Sequence, residues 1–460
     1  MGHVSHPESA AAPGQTWDVR RYVDDRPAEG IFRVHKDAYS DEHLFEMELR
    51  HIFERTWCFL GHESQIAKPH DWLSTWIAHT PILLTRDGTG QVRAFINACR
   101  HRGAKLTRTE QGNRRFHTCP YHGWVFGSDG RNADIKDRKD GGYTEGFDVD
   151  SHDLLPLARV ASYKGLIFGS LSAQVPSLEE FLGETRFFID LAMDQGEHGM
   201  ELVPGRIEYA YDANWKLQLE NGKDPYHLTS THTAFLDLMA KRRDGQGHQE
   251  ARQFDWQKRF SQEGGDFQFA HGHGVIWLNQ AEVAKRPIYP AIDAIRARVG
   301  EVKADWMLKM RNLSIFPSLQ IADSTSLLLR TFRPLSAHRT EMRYWCLAPI
   351  GEPPAQRAWR IRQFEDFFNV SGLATPDDTV VYEACQAGYA ATPLGWMQGY
   401  SRGMSHVQAG ASPLAQSLGF APQFSVQGGF KLQAETVFHS VYREWARLMD
   451  AGARGEKAYG

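Results

Sequence analysis

The sequence holds little that would build a secreted or membrane-spanning protein. Its 460 residues include only five cysteines, an odd and scattered set (Cys58, Cys99, Cys119, Cys346 and Cys385), which excludes a disulfide framework. No apolar run approaches the roughly 18 to 20 residues that span a bilayer. The longest, at 165–169 and 327–329, are strand-sized. Residues 1–16 have no basic stretch followed by an apolar one, so they read as a flexible polar leader and not as a signal peptide. Neither sign of charge dominates: 52 Lys and Arg face 56 Asp and Glu, for a net −4, which gives no global reason to bind nucleic acid. A Walker A pattern and a GxGxxG following a strand are both missing, which excludes those routes to a resident nicotinamide or flavin. Fixed-period repeats and low-complexity tracts are absent too. The expectation is a cytoplasmic chain, with no membrane and no nucleic acid among its partners, whose thiols are reduced or bound to metal.

What is present is ordinary globular material, 42% hydrophobic and 23% charged, in an amount that suits two to three domains. Residues 41–56 place Leu44, Phe45, Leu49, Ile52 and Phe53 at helical spacing, with Ser40 or Asp41 as the cap. From 57 to 176 the texture changes to short β-like runs broken by turn signals such as Asp87-Gly88 and Asp129-Gly130, which predicts an all-β insert. Ser177 and Glu180 form a capping-box pattern that opens a helix running to about Met193. The remainder reads as mixed α and β. It has strands within 311–350, a turn at Pro334-Leu335-Ser336, a helix at 353–369 and a last amphipathic helix at 434–450.

Two clusters carry chemistry. The first is Cys99-Arg-His101 followed by Cys119-Pro-Tyr-His122, one thiol and one imidazole from each of two short loops in the same order. A structural zinc would take such a Cys2His2 set tetrahedrally. A Rieske [2Fe-2S] cluster would put both thiolates on one iron and both imidazoles on the other. The matched pairs and the one-residue gap between Cys99 and His101 favour the second. His117 breaks the pairing and reads as a surface or strand residue.

The second cluster is Glu220-Asn-Gly-Lys-Asp224-Pro-Tyr-His227-Leu-Thr-Ser-Thr-His232. Five positions separate the two histidines, about 140° on an ideal helix, so a shared metal requires a kink or a π-bulge. Gly222 and Pro225 supply a reason for distortion, and Asp224-Pro225 resembles an N-cap with proline at N1. Asp224 is spaced to hold the imidazole of His227. Two histidines with one carboxylate make the facial triad of non-haem Fe(II), though spacing cannot pick the carboxylate. The pair His271-Gly-His273 reads as a loop or pocket wall, and the arginines of 357–362 as the solvated face of a helix.

At these residues the chain resembles the α subunits of Rieske non-haem iron ring-hydroxylating dioxygenases, and within them the benzoate, toluate and anthranilate 1,2-dioxygenase branch. The likeness runs from about Gly30 to the last helix through INACRHRGA, CPYHGW, SYKGLIFGSL, PSLEEFLGE, NWKLQLENG and RIRQFEDFFNVSGLATPDD. It implies an α+β fold in which an all-β Rieske domain (57–176) is inserted in a helix-grip catalytic domain (17–56 and 177–460). It maps Cys99, His101, Cys119 and His122 onto one [2Fe-2S] cluster, and His227, His232 and Asp378 onto one mononuclear Fe(II), with Asp377 as the alternative third ligand. Asp224 matches a bridging aspartate that would join His227 to the cluster ligand His122 of a neighbouring subunit. Asn221 maps beside the iron, and Gly222 either lines the pocket or distorts the helix.

The implied partners are a small β subunit in an α3β3 assembly, or an α3 homotrimer, together with a flavin and iron–sulfur reductase or a ferredoxin. NADH would be used only indirectly, through that reductase. The implied reaction is cis-dihydroxylation of an aromatic carboxylic acid with O2. Two departures leave the ring substituents open. Pro225 stands where that branch has Gly, as in salicylate hydroxylases, and Thr233 stands where an aromatic is usual. A salicylate-type monohydroxylase is therefore the alternative, and a zinc-stabilised binding protein the remote one.

Overall fold

The computed structural model of the chain describes residues 17–243, 262–428 and 433–459; the leader at 1–16 lies outside them. Its largest element is an antiparallel sheet of ten strands among the described residues. Met200–Leu202 lies at one edge, followed by Arg339–Pro349, Leu327–Ser336, Leu319–Asp323, Met310–Ile315, Gly274–Leu278, Gly264–Gln268, Phe424–Gln427 and Gln408–Ala409, and Ile207–Tyr211 also pairs with Arg339–Pro349.

Both faces of this sheet are covered. Leu328, Ile276, Met310 and Ala322 point into one apolar cluster, while Leu327, Leu329, Val275, Trp277 and Ile321 point into another. Side chains alternate across a strand, so burial on both faces turns the usual alternating pattern into the continuous run at 327–329.

Residues 57–176 form three small antiparallel sheets. One is built from Asp71–Ile77, Thr80–Arg86, Val92–Ile96 and Gln111–Asn113, and a second from Phe116–Thr118, Val125–Gly127 and Asn132–Asp134. The third pairs Cys58–His62 with Leu166–Ser170, so the two ends of the segment meet. A separate core of Trp72, Leu83, Phe95, Trp124 and Phe126 encloses Cys99 and Cys119. The α+β expectation of mixed helices and antiparallel sheets holds.

Several local expectations change. The first helix is capped by Asp41, not Ser40, and widens from α (Glu42–Glu48) to π geometry (Leu49–Phe53). Ser177 and Glu180 do form the capping box, but Gly183 (φ 48°) ends that helix at Leu182 and a second runs Arg186–Met193. Pro334 and Ser336 lie inside the strand Leu327–Ser336, whose pairing shifts register between them. A bulge absorbs the proline there, and the chain reverses at Ala337-His338 instead. The last helix begins at His439, after a single tight turn at Thr436–Phe438. Arg360 is buried on Glu352 and does not face solvent. His117 sits in a strand as expected but is fully buried, edge-on to Trp72.

One polar node fixes the sheet's helices. The buried carboxylate of Glu48 accepts hydrogen bonds from Trp215 Nε1 at 2.7 Å, from Trp445 Nε1 at 2.6 Å and from Lys216 Nζ. It thereby ties the first helix to Trp215–Asn221 and to the last helix, His439–Ala453.

Candidate functional site

The Trp215–Asn221 helix opens the site. Asn214 caps it by accepting from the Lys216 amide at 3.1 Å. Gly222 closes it in ordinary right-handed conformation, so its need for glycine is one of space. A Cβ there would meet the Gln320 carboxamide at 2.1–2.3 Å. Gly222 is not among the residues lining the cavity described below, which leaves close packing as its role.

Asp224 does not cap a helix. Its Oδ1 accepts from the Tyr226 amide at 2.7 Å in an Asx turn over Pro225, and helix resumes only at Leu228–Thr231. That helix stops at His232 (φ −100°, ψ 33°) before Thr233–Arg243 begins. The distortion the histidine spacing required is thus a break at the second histidine, and it brings the two rings to 5.2 Å between centroids.

Thr375–Tyr389 supplies the carboxylates from its first turn. One ligand-type atom from each of His227, His232 and Asp378 lies within 4.8 Å of the others. Nε2 of His232 is 3.2 Å and Nε2 of His227 3.5 Å from Asp378 Oδ1. Each imidazole is held from behind: His227 Nδ1 bonds Asp224 Oδ2 at 3.0 Å, and His232 Nδ1 bonds Asp377 Oδ2 at 3.3 Å. A carboxylate on Nδ1 keeps the proton there and aims the Nε2 lone pair at the shared point. Asp377, the alternative ligand, therefore orients His232 in this geometry. Asn221 Nδ2 donates to Asp378 Oδ1 at 3.1 Å and lies 3.3 Å from His227 Nε2. Burial alone would lower the His227 pKa, but the bond to Asp224 and the charge of Asp378 outweigh it and raise it. Burial pushes Asp378 up, and its contacts with His232, His227 and Asn221 hold it below its usual value. Two imidazoles and a carboxylate are a donor set suited to ferrous iron with open positions.

The triad forms one wall of a cavity of about 80 Å³. Ile276, Met310, Asn312, Ala322 and Arg330 line it from the sheet, and Phe367 and Phe368 from the helix Pro354–Phe368.

The other cluster lies in two loops with the same hydrogen-bond plan. In the first, the Cys99 amide donates to Ala104 O and the Gly103 amide to Cys99 O, at 2.8 and 2.9 Å. In the second, Cys119 donates to Trp124 O and Gly123 to Cys119 O, at 2.7 and 3.1 Å. Gly103 and Gly123 turn through φ 76° and 75°, where a side chain is strained. Both thiols are buried, while His101 is exposed and His122 partly so, with their Nδ1 atoms 3.1 Å apart. Burial, first, and the neighbouring Cys119 push the Cys99 thiol up to about 11, although backbone N–H groups face it. Among the described residues the only three or more ligand-type atoms within 4.8 Å of one another belong to the iron triad. In the Cys/His set the thiols lie inward and the imidazoles outward.

Residues 56–159 match the Rieske [2Fe-2S] domain family, and residues 201–451 match the ring hydroxylating alpha subunit (catalytic domain) family. The chain belongs to the ring-hydroxylating dioxygenase α subunits. This α subunit is 40% identical to the toluate 1,2-dioxygenase subunit alpha of Pseudomonas putida, over 95% of each chain. It is also 40% identical to the 2-halobenzoate 1,2-dioxygenase large subunit of Burkholderia cepacia, over 95% of this chain and 94% of that one. Its identity with the anthranilate 1,2-dioxygenase large subunit of Acinetobacter baylyi is 37%, over 94% and 92%. The naphthalene 1,2-dioxygenase of Rhodococcus sp. bound to indole superposes with a TM-score of 0.78 at 25% identity, covering 91% of this chain and 94% of that one.

The α subunit accordingly uses a Rieske [2Fe-2S] cluster and a non-haem iron, and it works with partner subunits and a reductase. No helix among the described residues is long and apolar enough to cross a membrane.

Sequence reasoning missed Asp377 as an orienting group, and it missed Asn312, Arg330, Phe367 and Phe368 as cavity residues. The last two sit inside the quoted RIRQFEDFF stretch, whereas the sheet residues carry no local signal. Among the described residues, neither His271 nor His273 belongs to a group of three ligand-type side chains close enough to share a metal. His273 Nε2 donates to Phe181 O at 2.9 Å and its Nδ1 accepts from the Phe316 amide at 3.1 Å. His271 lies 3.7 Å from Glu444.

Proposed function

We propose that the chain is the terminal-oxygenase α subunit that cis-dihydroxylates a single-ring aromatic carboxylic acid at ring carbons 1 and 2. One observation carries the reading: a triad of His227, His232 and Asp378 opens directly into a cavity lined by Phe367, Phe368, Ile276 and Met310. Three relatives at 37–40% identity are named for toluate, 2-halobenzoate and anthranilate, all single-ring acids, which supports the substrate class.

In this reading Cys99, His101, Cys119 and His122 hold the cluster within a domain spanning 57–176, and the parts at 17–56 and 177–460 hold the iron. When bound, the cluster supplies single electrons and the ferrous ion supplies activation of O2. The protein's own tasks are positional. Asp224 and Asp377 keep protons on the outer nitrogens of His227 and His232, leaving the inner nitrogens as donors. The Asn221 amide fixes the lone pairs of Asp378 Oδ1. Phe367, Phe368, Ile276 and Met310 exclude water and hold the ring flat. Asp224, in contact with His227 and near the surface, also meets the neighbouring subunit's cluster in a head-to-tail ring of α3β3 or α3 type, and NADH enters through the cytoplasmic reductase.

Iron and acid-labile sulfide analysis should give about three irons and two sulfides per chain. Turnover of benzoate with O2, NADH and a reductase should then yield a non-aromatic carboxylated cis-diol. Zinc without sulfide would overturn the metal assignments. A phenolic product would put the salicylate-type monohydroxylase in place of the dioxygenase; Pro225 and Thr233 are the observations that favour it.

A further inference from the structure

Four arginines among the described residues expose less than a tenth of their surface: Arg286, Arg311, Arg330 and Arg360. Three of them are neutralised by a carboxylate of the chain, Arg286 and Arg311 by Asp323 and Arg360 by Glu352. Arg330, 6% exposed, is the exception. Its Nε donates to Gln320 Oε1 at 2.7 Å, and its guanidinium lies 5.6 Å from the centre of the Tyr344 ring. No carboxylate among the described residues comes within 4.0 Å of it. The carboxylate that acts on it electrostatically is that of Asp378, which is already engaged by His232, His227 and Asn221.

A buried cation without a paired anion is costly, because desolvation is not repaid. Here the cation lines the cavity that the iron triad opens into. Two strands away, Asn312 faces the same space with its Oδ1, a hydrogen-bond acceptor, buried and without a partner. The guanidinium is the donor that a planar carboxylate takes, since it offers parallel N–H groups in a fixed fork. A hydrocarbon ring in the same place would leave the buried cation unpaired.

We infer that Arg330 anchors the carboxylate of the substrate on the sheet wall of the cavity that the metal ligands open into. The inference rests on the aromatic-acid reading above and supplies its selectivity: an acid group pinned at Arg330, in the same cavity as the triad, fixes which ring carbons face His227, His232 and Asp378. Arg330 is thus a specificity-determining residue for this oxygenase.

The test compares benzoate with benzamide, which has the same shape and no charge. Isothermal titration of the anaerobic, iron-loaded oxygenase should show benzoate binding at least tenfold more tightly than benzamide. In Arg330→Met, benzoate should bind about 10- to 100-fold more weakly, the usual range for losing a charged hydrogen-bond partner, while benzamide changes less than threefold. Arg330→Lys, which keeps the charge but not the fork, should fall between. In steady state the loss should appear in KM for benzoate more than in kcat. An unchanged visible Rieske spectrum and melting point certify that each variant is folded.

Equal affinity of the wild type for the two ligands would overturn the inference even if every variant failed to fold. So would a kcat loss shared by acids and neutral rings, which would mean that Arg330 only tunes Asp378. Failure of the acid reading itself looks different: the wild type would neither bind nor turn over benzoate.

Discussion

His227 is clamped between Asp224 on one nitrogen and the triad on the other, so its orientation depends on a residue that need not touch iron. Asp224→Ala should leave the visible Rieske spectrum unchanged and lower coupled turnover at least 10- to 100-fold, the usual cost of removing a partner of a metal-bound histidine. Normal product formation by this variant would remove Asp224 from the mechanism.

His273 makes a different forecast. Burial, and then the adjacent His271, hold its pKa down to about 3, against an ordinary 6.5. The Phe316 amide pointing at Nδ1 favours the neutral ring as well. A histidine depressed in the folded state stabilises fully above pH 6.5, and that stability is lost as acid protonates the unfolded chain and then the folded one. His273→Gln, which can keep both hydrogen bonds, should show a shallower fall in urea-unfolding free energy between pH 6.5 and 4.5 than the wild type. Parallel curves would refute this. Residues such as Cys99 and His232 stand out in the sequence as candidate ligands because metal ligands come at short fixed spacings. Arg330 and Asn312 do not, because what marks them is an absent partner across the sheet.

At the scale of elements, the Trp215–Asn221 helix owes its position to Glu48, 167 residues before Trp215. Lys216→Met would leave that carboxylate buried with only two indole donors. The expected cost is about 3–5 kcal/mol, as for other buried pairs broken on one side, read as a lower urea midpoint. A change below about 1 kcal/mol would mean that the indoles alone suffice. The sequence announced most elements through local chemistry: the capping box at Ser177, the helix after Pro353, and the break demanded by His227 and His232. It misplaced the turn at Pro334–Ser336, since proline's usual meaning is set aside where a bulge removes the need for its N–H. It also put the last helix five residues early, because the single tight turn at Thr436–Phe438 shares the apolar spacing of the helix that follows.

For the whole molecule, the two metal sites lie in parts of the chain with separate cores, and both reach the surface, at His101 and Tyr121 on one side and at Tyr226 on the other. If electrons pass from one subunit's cluster to its neighbour's iron, two crippled chains can complement each other. Coexpressed Cys119→Ser and Asp378→Ala chains should restore a measurable fraction of benzoate turnover, although each alone has none. Complete inactivity of properly assembled hybrids would confine electron flow to single subunits. The two-part organisation was legible from the change of texture at residue 57. Which surfaces adjoin in an assembly was not, because contacts between copies leave no periodicity in one sequence.

The Glu48 node has a consequence for how the protein is made. A ribosome releases the chain from its N-terminus, so the carboxylate of Glu48 emerges long before its lysine, and the indole of Trp445 emerges almost last. Until then the helix leading to Asn221 lacks one of its fixings. The β-rich segment that encloses Cys99 and Cys119 needs nothing beyond residue 176 for its own core. Nascent chains should therefore be able to fold the cluster domain during synthesis, whereas the iron pocket must wait for release.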